Sequence, residues 1–259
     1  MYITQIDHMN LNQIANSGQC FRWQQINDNT YKIPAFGKEL TISQDGNTFV
    51  LSCDENEWNS LWRNYFDLET NYNEVENIIM NTNDDFLRTA YELGSGIRIL
   101  RQDLWEVIVS FIISQNNNIP RIRKSIQKLC DEVGGDFPNC REILDIDLSD
   151  KGLGYRDKYM KSASEWYKAY SYGAIQIYGL SYQKAKEKLM MIKGIGNKVA
   201  DCICLFALHH LDAFPQDVHI KRIIDREYDG KIPDWAKSKH AGLFQQYLFY
   251  FETHKMATK

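Results

Sequence analysis

The 259-residue chain lacks several features that mark common protein classes. No apolar run approaches the roughly 18 residues of a membrane span, so no membrane association is expected. The first ten residues have no basic stretch followed by an apolar core; no secretory leader is expected, and we predict an intracellular, cytoplasmic location. The six cysteines include no C-x-x-C pair. They are typical of reduced thiols rather than of a structural zinc or iron–sulfur site.

The charge of the chain is unevenly distributed. The formal net charge is −4, with a net of −7 in residues 1–80 and +3 in residues 81–259. Residues 151–200 alone carry 10 basic and 3 acidic side chains. Such a basic stripe is the electrostatic footprint expected of a protein that binds a polyanion. A solvated lysine-rich face would give the same count, so charge alone leaves both interpretations open.

The hydrophobic pattern changes along the chain. Short segments rich in aromatic and β-branched residues, separated by turn signals, predict an antiparallel meander at residues 21–25, 30–36, 39–43 and 47–53. From about residue 55 large apolar residues recur at helical spacing. We therefore predict an α+β protein. A small N-terminal antiparallel β-sheet domain with flanking helices would occupy residues 1–80, and a mostly α-helical domain residues 81–259.

A turn with two glycines, Gly194 and Gly196, joins helical patterns at residues 181–192 and 198–208. Glycines permit a tight turn with positive φ and the close approach of another backbone. The N–H groups of such a turn and of the helix that follows can bind a phosphate. An ordinary helical hairpin has the same outline. The helix-hairpin-helix consensus of DNA-binding proteins is matched further at Leu189, Ile192, Ile195, Val199 and Ala200.

Lys198 stands on the first turn of the second predicted helix. A phosphate contact or a surface position would account for an ordinary lysine there. A nucleophilic lysine attacks as the neutral amine, a form that burial and the positive end of a helix both favour. Cys202 lies four residues further, on the same helical face. Its thiol would either interact with the amine or serve as a small buried apolar residue.

Asp217, in F-P-Q-D-V-H-I (214–220), precedes a helix-like stretch, where an aspartate commonly caps a helix. A carboxylate near Lys198 could also assist proton transfer and stabilise positive charge on a sugar. The lysine, the carboxylate and the hairpin together suggest attack at C1′ of a deoxyribose. That attack would displace a base and leave a Schiff base.

The chain resembles the helix-hairpin-helix glycosylase superfamily and, within it, the 8-oxoguanine DNA glycosylase family. The resemblance runs almost from end to end. The blocks that carry it, in the order expected of the family, are S-G-Q-C-F-R-W (17–23), Y-F-D-L (65–68), S-Q-N-N-N-I-P-R-I (114–122), G-L-G-Y-R (152–156), K-G-I-G-N-K-V-A-D-C-I-C (193–204), P-Q-D-V-H (215–219) and A-G-L-F-Q-Q-Y-L-F (241–249).

The resemblance implies a bifunctional glycosylase and lyase with Lys198 as nucleophile and Asp217 as catalytic carboxylate. Gly18 would offer its carbonyl to the N7 proton that 8-oxoguanine has and guanine lacks, since N7 of guanine is an acceptor. In the base pocket, Gln245 would bond the Watson–Crick edge, while Phe249 and Cys202 would pack on opposite faces of the base. Taken alone, Gly18 would be interpreted as a turn glycine, Gln245 as a surface residue and Phe249 as a core residue.

The resemblance also implies contacts with DNA. Asn116, first of the three asparagines, would fill the gap left by the flipped base, and Tyr155 would be a wedge in the duplex. Without the resemblance, N-N-N indicates a helix cap and G-Y-R a turn. The residues expected to contact DNA are Asn116, Asn117, Arg121 and Arg156 (as readers of the opposite cytosine), Tyr155, Gly194, Gly196 and His219 (near a phosphate).

Ligands and partners follow from the same resemblance. No cofactor is needed for the chemistry, and backbone carbonyls of Met190, Ile192 and Ile195 would hold a structural monovalent or calcium ion in the DNA-bound state. The expected partner is double-stranded DNA that contains 8-oxoguanine, bound by a monomer.

Two departures from the family pattern bear on recognition. Cys20 stands where a serine is more usual, and Ile119-Pro120 replaces a more ordinary pair before Arg121, which would shift that arginine relative to the opposite cytosine. The alternatives are a glycosylase for another damaged base and a non-catalytic protein that binds damaged DNA. Endonuclease III types usually carry four C-terminal cysteines, but none follows Cys204. Alkylpurine types generally lack the hairpin lysine.

Overall fold

The computed structural model describes residues 1–169 and 176–255, which divide into two compact units. The first unit comprises Met1–Pro34, Lys38–Arg101 and Leu211–Lys259, and the second comprises Ala35–Gly37 and Gln102–His210. Both units are discontinuous in sequence. The predicted boundary between residues 80 and 81 stays a prediction.

A five-stranded antiparallel sheet forms in the N-terminal region. The strands are β1 Tyr2–Gln5, β2 Gln24–Asn27, β3 Thr30–Ala35, β4 Lys38–Asp45 and β5 Thr48–Leu51. Their order in the sheet is β1-β5-β4-β3-β2, so consecutive strands pair from β2 to β5 and β1 pairs with the outer side of β5. Tyr2 and Ile42 both pair with Leu51. The predicted meander is confirmed, except that its first strand is Gln24–Asn27 rather than residues 21–25. Strand β1 is not predicted, because it is short and its Ile3 is exposed.

The first unit buries a cluster of aromatic side chains. Trp62 and Phe66 are fully buried, and the indole N–H of Trp23 donates to the Tyr65 hydroxyl at 2.8 Å. This hydrogen bond satisfies the indole N–H inside an apolar core. The helical segments of this unit are Leu11–Asn16, Glu55–Glu57, Trp58–Trp62, Arg63–Tyr65, Tyr72–Met80, Asp85–Gly94, Val218–Glu227, Asp234–Lys237 and Ala241–His254.

The second unit is built around the helix Leu104–Ser114, in which nine of eleven residues are buried. The sequence predicts this central helix because it is apolar nearly all round. Phe111 stacks on Phe206 with ring centroids 5.3 Å apart. The other described helices of the unit are Ile119–Asp131, Cys140–Asp145, Gly154–Arg156, Asp157–Ala169, Tyr182–Met190 and Asn197–Phe206.

Polar side chains set the starts of several helices. Asp84, Asp103, Asn118 and Asp217 each accept a hydrogen bond from a backbone N–H of the first helical turn. Such caps satisfy N–H groups that have no partner within the helix. The α+β class is confirmed. None of the helices in the described parts of the chain is long and apolar enough to cross a membrane.

Candidate active site

The hairpin of the second unit joins the helices Tyr182–Met190 and Asn197–Phe206. Gly194 has a φ of +93°, as the sequence predicts for the turn. Gly196 does not share this conformation. Its φ is −98° and its ψ −177°, an extended backbone open to any residue, and a Cβ there would meet only open space. Gly194 therefore has the positive φ that a glycine permits, whereas Gly196 leaves room for the close approach of another backbone.

The second hairpin helix begins without a capping side chain among the described residues. Gly196 and Asn197 are exposed there. The first N–H groups of a helix have no intrahelical partner, and they carry the positive end of the helix dipole. The start of this helix is therefore suited to an anion such as a DNA phosphate.

Lys198 is half-buried on the first turn of this helix. Its Nζ lies 5.3 Å from the centroid of the Phe111 ring. An ammonium group is attracted to the face of an aromatic ring, so this contact favours a Lys198 side chain directed toward Phe111. Cys202, four residues further on the helix, is buried. The sequence does not signal Phe111, because its contact with Lys198 depends on the packing of two helices.

Asp201 joins the two hairpin helices. Its buried carboxylate accepts from the Tyr182 hydroxyl at 2.5 Å and lies 2.8 Å from Lys186 Nζ. Burial raises the pKa of Asp201, although the hydrogen bonds from Lys186 and Tyr182 act in the opposite direction. The loss of one partner from a buried ion pair is costly. This link therefore fixes the helix on which Lys198 stands.

The asparagine segment and the G-Y-R segment meet within the second unit. Asn116 and Tyr155 are exposed, and Asn116 Nδ2 donates to the Tyr155 hydroxyl at 3.2 Å. The Asn117 side chain donates to the Ile113 carbonyl at 3.1 Å. Arg121 is exposed on the first turn of its helix, which Pro120 and the Asn118 cap begin. The structure thus presents an amide and a phenol side by side.

Arg156 has a different environment from that expected of a base reader. It is buried, and its Nε donates to the Gln115 carbonyl at 2.8 Å while Nη2 reaches the Asn116 carbonyl at 3.0 Å. Its guanidinium lies 4.7 Å from the centroid of the Tyr155 ring. These bonds anchor the asparagine segment. A contact of Arg156 with cytosine stays a prediction.

In the first unit, Phe249 contacts two other candidate site residues, Gly18 and His219. A Cβ added at Gly18, which has a φ of +76°, would lie 2.9 Å from Phe249 Cε1. The Phe249 ring also meets the His219 ring edge-on, with centroids 5.6 Å apart. Gly18, His219 and Phe249, far apart in sequence, therefore form one cluster. The spacing of the motifs along the chain does not by itself predict these contacts.

Gln245 and Asp217 belong to the two helices that carry this cluster. Gln245 is buried, one helical turn before Phe249, and its Oε1 accepts from Gln246 Nε2 at 3.1 Å. Asp217 is half-buried, and its Oδ1 accepts from the Ile220 N–H at 2.9 Å. The capping role of Asp217 is confirmed. One carboxylate oxygen is thus engaged in the cap, and its catalytic role stays a prediction.

The expected ion site at the hairpin consists of backbone carbonyls. The Ile192 carbonyl accepts from the Ile195 N–H at 3.0 Å, and a second lone pair stays available on a carbonyl oxygen. Hard cations prefer such oxygen ligands. No group of three or more His, Cys, Asp or Glu side chains suited to a metal occurs in residues 1–169 and 176–255. Backbone carbonyls are a donor type that monovalent and calcium ions accept, and an ion at this hairpin stays a prediction.

Comparison with known proteins gives matches along nearly the whole chain. The family model of the 8-oxoguanine DNA glycosylase N-terminal domain matches residues 1–108. The N-glycosylase/DNA lyase of Saccharomyces cerevisiae is 29% identical over 262 residues, covering 84% of this chain and 68% of the relative.

Solved structures match more completely. MBOgg1 in complex with a low-affinity DNA ligand has a TM-score of 0.91 and 32% identity, covering 98% of this chain and 96% of that chain. The 8-oxoguanine glycosylase/lyase of Clostridium acetobutylicum in its apo form has a TM-score of 0.88 and 31% identity, covering 96% and 95%. The clostridial protein has also been solved with double-stranded DNA containing cytosine opposite 8-oxoG, a structure that this chain matches with a TM-score of 0.88 and 29% identity, covering 100% and 99%.

Proposed function

The chain belongs to the 8-oxoguanine glycosylase/lyase family, and we propose that it removes 8-oxoguanine from double-stranded DNA and then nicks the strand. The observation that carries this proposal is Lys198, held against Phe111 on the first turn of a helix whose N-terminus is open to a phosphate. A phosphate-binding helix start beside the amine of Lys198 is suited to attack on the sugar of a nucleotide in DNA.

The reaction proceeds through a covalent intermediate. The neutral amine of Lys198 attacks C1′, the bond from C1′ to N9 breaks, and the base leaves with the bonding electron pair and gains a proton. Opening of the sugar gives a Schiff base between Lys198 and C1′. Loss of a proton from C2′ then expels the 3′ phosphate by β-elimination, and hydrolysis of the imine frees the lysine. Asp217 stabilises positive charge on the sugar.

Recognition of the base rests on the cluster around Phe249. The ring offers a face for stacking, and Gln245, one turn earlier, offers an amide to the Watson–Crick edge. The Gly18 carbonyl accepts a hydrogen bond from the N7–H of 8-oxoguanine. In guanine N7 is itself an acceptor and cannot donate this hydrogen bond. The family resemblance assigns Cys202 to the other face of the base. This set supports 8-oxoguanine over an alkylated base.

The DNA partner is supported by charge and by the relatives. Residues 151–200 carry 10 basic and 3 acidic side chains, and the clostridial relative has been solved with cytosine opposite 8-oxoG. We include in the proposal a preference for cytosine through Arg121 and Arg156, a monomeric and intracellular protein, and no cofactor. A monovalent or calcium ion on the hairpin carbonyls would help to hold the phosphate.

The first experiment is borohydride trapping on a labelled duplex with 8-oxoguanine opposite cytosine. Reduction of a Schiff base links protein and DNA irreversibly, so we expect a slow band on a denaturing gel. An undamaged duplex should give none. A duplex with an alkylated purine tests the alternative glycosylase, and tight lesion binding with no base release would indicate the non-catalytic alternative. Base release without any trapped adduct would contradict the covalent mechanism.

Asp217→Asn separates the two roles of this residue. Asparagine caps helices as well as aspartate does, so the Ile220 N–H keeps its acceptor and the melting temperature should stay near that of the wild type. Loss of the negative charge should lower single-turnover excision by roughly a hundredfold. The measurement is the excision rate beside thermal unfolding. An unchanged rate in the folded variant would leave Asp217 with the cap alone.

A further inference from the structure

Tyr159 occupies the space above the hairpin glycine. A Cβ on Gly194 would lie 2.3 Å from Tyr159 Cγ and 2.5 and 2.6 Å from its two Cδ atoms. No real Cβ comes so close, and these atoms belong to the base of the ring rather than to a mobile end. The ring therefore rests directly on the backbone of the hairpin turn. Gly194 is glycine for two reasons, its φ of +93° and this contact.

The same ring supports Tyr155. The two tyrosines stand four residues apart and meet edge to face, with centroids 5.8 Å apart and planes at 79°. Such a geometry is favourable for aromatic pairs. Tyr155 is 44% exposed, and its hydroxyl accepts from Asn116. The exposed pair of Tyr155 and Asn116 is thus tied through Tyr159 to the turn at Gly194.

A second link connects the same segments. Gln115 Nε2 donates to the Gly194 carbonyl at 3.1 Å. Arg156 binds the Gln115 and Asn116 carbonyls and stacks on Tyr155. The contacts therefore form a closed circuit through three segments that are distant in sequence: residues 115–116, 155–159 and 194. Within a closed circuit, no member can shift without disturbing at least two others.

We infer that Tyr159 is a positioning residue, which holds the Tyr155–Asn116 pair in register with the phosphate-binding turn at Gly194. The inference rests on the proposed function. Tyr155 and Asn116 would enter the base stack. They reach the correct base step only if they are fixed relative to the turn that binds the DNA phosphate. Tyr159 itself, half-buried beneath Tyr155, need not touch the base.

The test compares Tyr159→Ala with Tyr159→Phe on two substrates. The phenylalanine keeps the ring on Gly194, so it should excise 8-oxoguanine within about twofold of the wild-type rate, whereas alanine should lower single-turnover excision by roughly tenfold or more. A preformed abasic site has no base to extrude. Borohydride trapping on that site should therefore stay within about threefold of wild type for both variants.

A double-mutant cycle makes the assignment specific. If Tyr159 acts through Tyr155, Tyr159→Ala should have little further effect on excision in a Tyr155→Ala background, since coupled residues are not additive. Additive effects would overturn the inference. An excision rate of Tyr159→Ala equal to that of the wild type would overturn it as well. So would an equal loss of trapping on the abasic site, which would indicate a general loss of hairpin structure.

Fluorescence of 2-aminopurine beside the lesion site gives a readout without bond cleavage. Wild type and Tyr159→Phe should raise it on binding, because the duplex unstacks, and Tyr159→Ala should not. A wild-type protein that neither traps nor unstacks DNA contradicts the proposed function, and the inference falls with it. If the wild-type protein both traps and unstacks the DNA and Tyr159→Ala does so equally well, only the role of Tyr159 is contradicted.

Discussion

Lys198→Gln is expected to abolish the borohydride-trapped adduct and to lower single-turnover excision by about a thousandfold or more, the usual scale for loss of a nucleophile. Glutamine has a similar reach but no amine, so no Schiff base can form. The variant should still bind the lesion duplex, because the N–H groups at the helix start are unchanged. Excision, trapping and binding are measured on the same duplex.

Lys193→Gln is the matched control for this prediction. Lys193 is exposed in the same hairpin turn, so its loss removes the same charge close to the same place. It should weaken binding slightly at low salt and leave trapping intact. An adduct that persists in Lys198→Gln but is lost in Lys193→Gln would indicate that Lys193, in the turn, is the nucleophile. Persistence in both would place the nucleophile outside the hairpin.

The hairpin was largely predictable from sequence because its signals are local. Apolar spacing fixes the two helices, and the glycines fix the turn between them. The start of the Val218–Glu227 helix is predictable for the same reason, since an Asp217 cap needs only the N–H groups that follow it. The resemblance then added roles that periodicity cannot supply, such as a carbonyl of Gly18 aimed at a base.

The parts that escaped prediction depend on packing between distant segments. Tyr159 stands four residues after Tyr155, so a shared helical face is predictable. Nothing local indicates that the ring rests on Gly194, 35 positions further along the chain. Gly196 shows the converse. Glycine permits a positive φ, yet the Gly196 backbone is extended. A Cβ there would meet nothing within 4 Å, so contacts within the described chain do not require a glycine at this position either.

Gly18→Ala is expected to lower excision of 8-oxoguanine by roughly a hundredfold, through two effects on one cluster. A φ of +76° costs an alanine about 1 kcal/mol, and its Cβ would lie 2.9 Å from Phe249 Cε1. The ring must move, or the backbone of residue 18 must, and either shift displaces the proposed N7 acceptor from the stacking face. Trapping on a preformed abasic site should change far less, because that substrate needs no base pocket.

Gly46→Ala is the control for backbone strain. Gly46 has a φ of +56° in the same unit, and a Cβ there meets nothing within 4 Å. This variant should lose about 1 kcal/mol of unfolding free energy and excise normally. Gly18→Ala should lose more, and the excess should shrink in a Phe249→Leu background, where the clashing ring is gone. Normal excision by Gly18→Ala, with the stability loss present, would show that residue 18 packs against Phe249 but does not read the base.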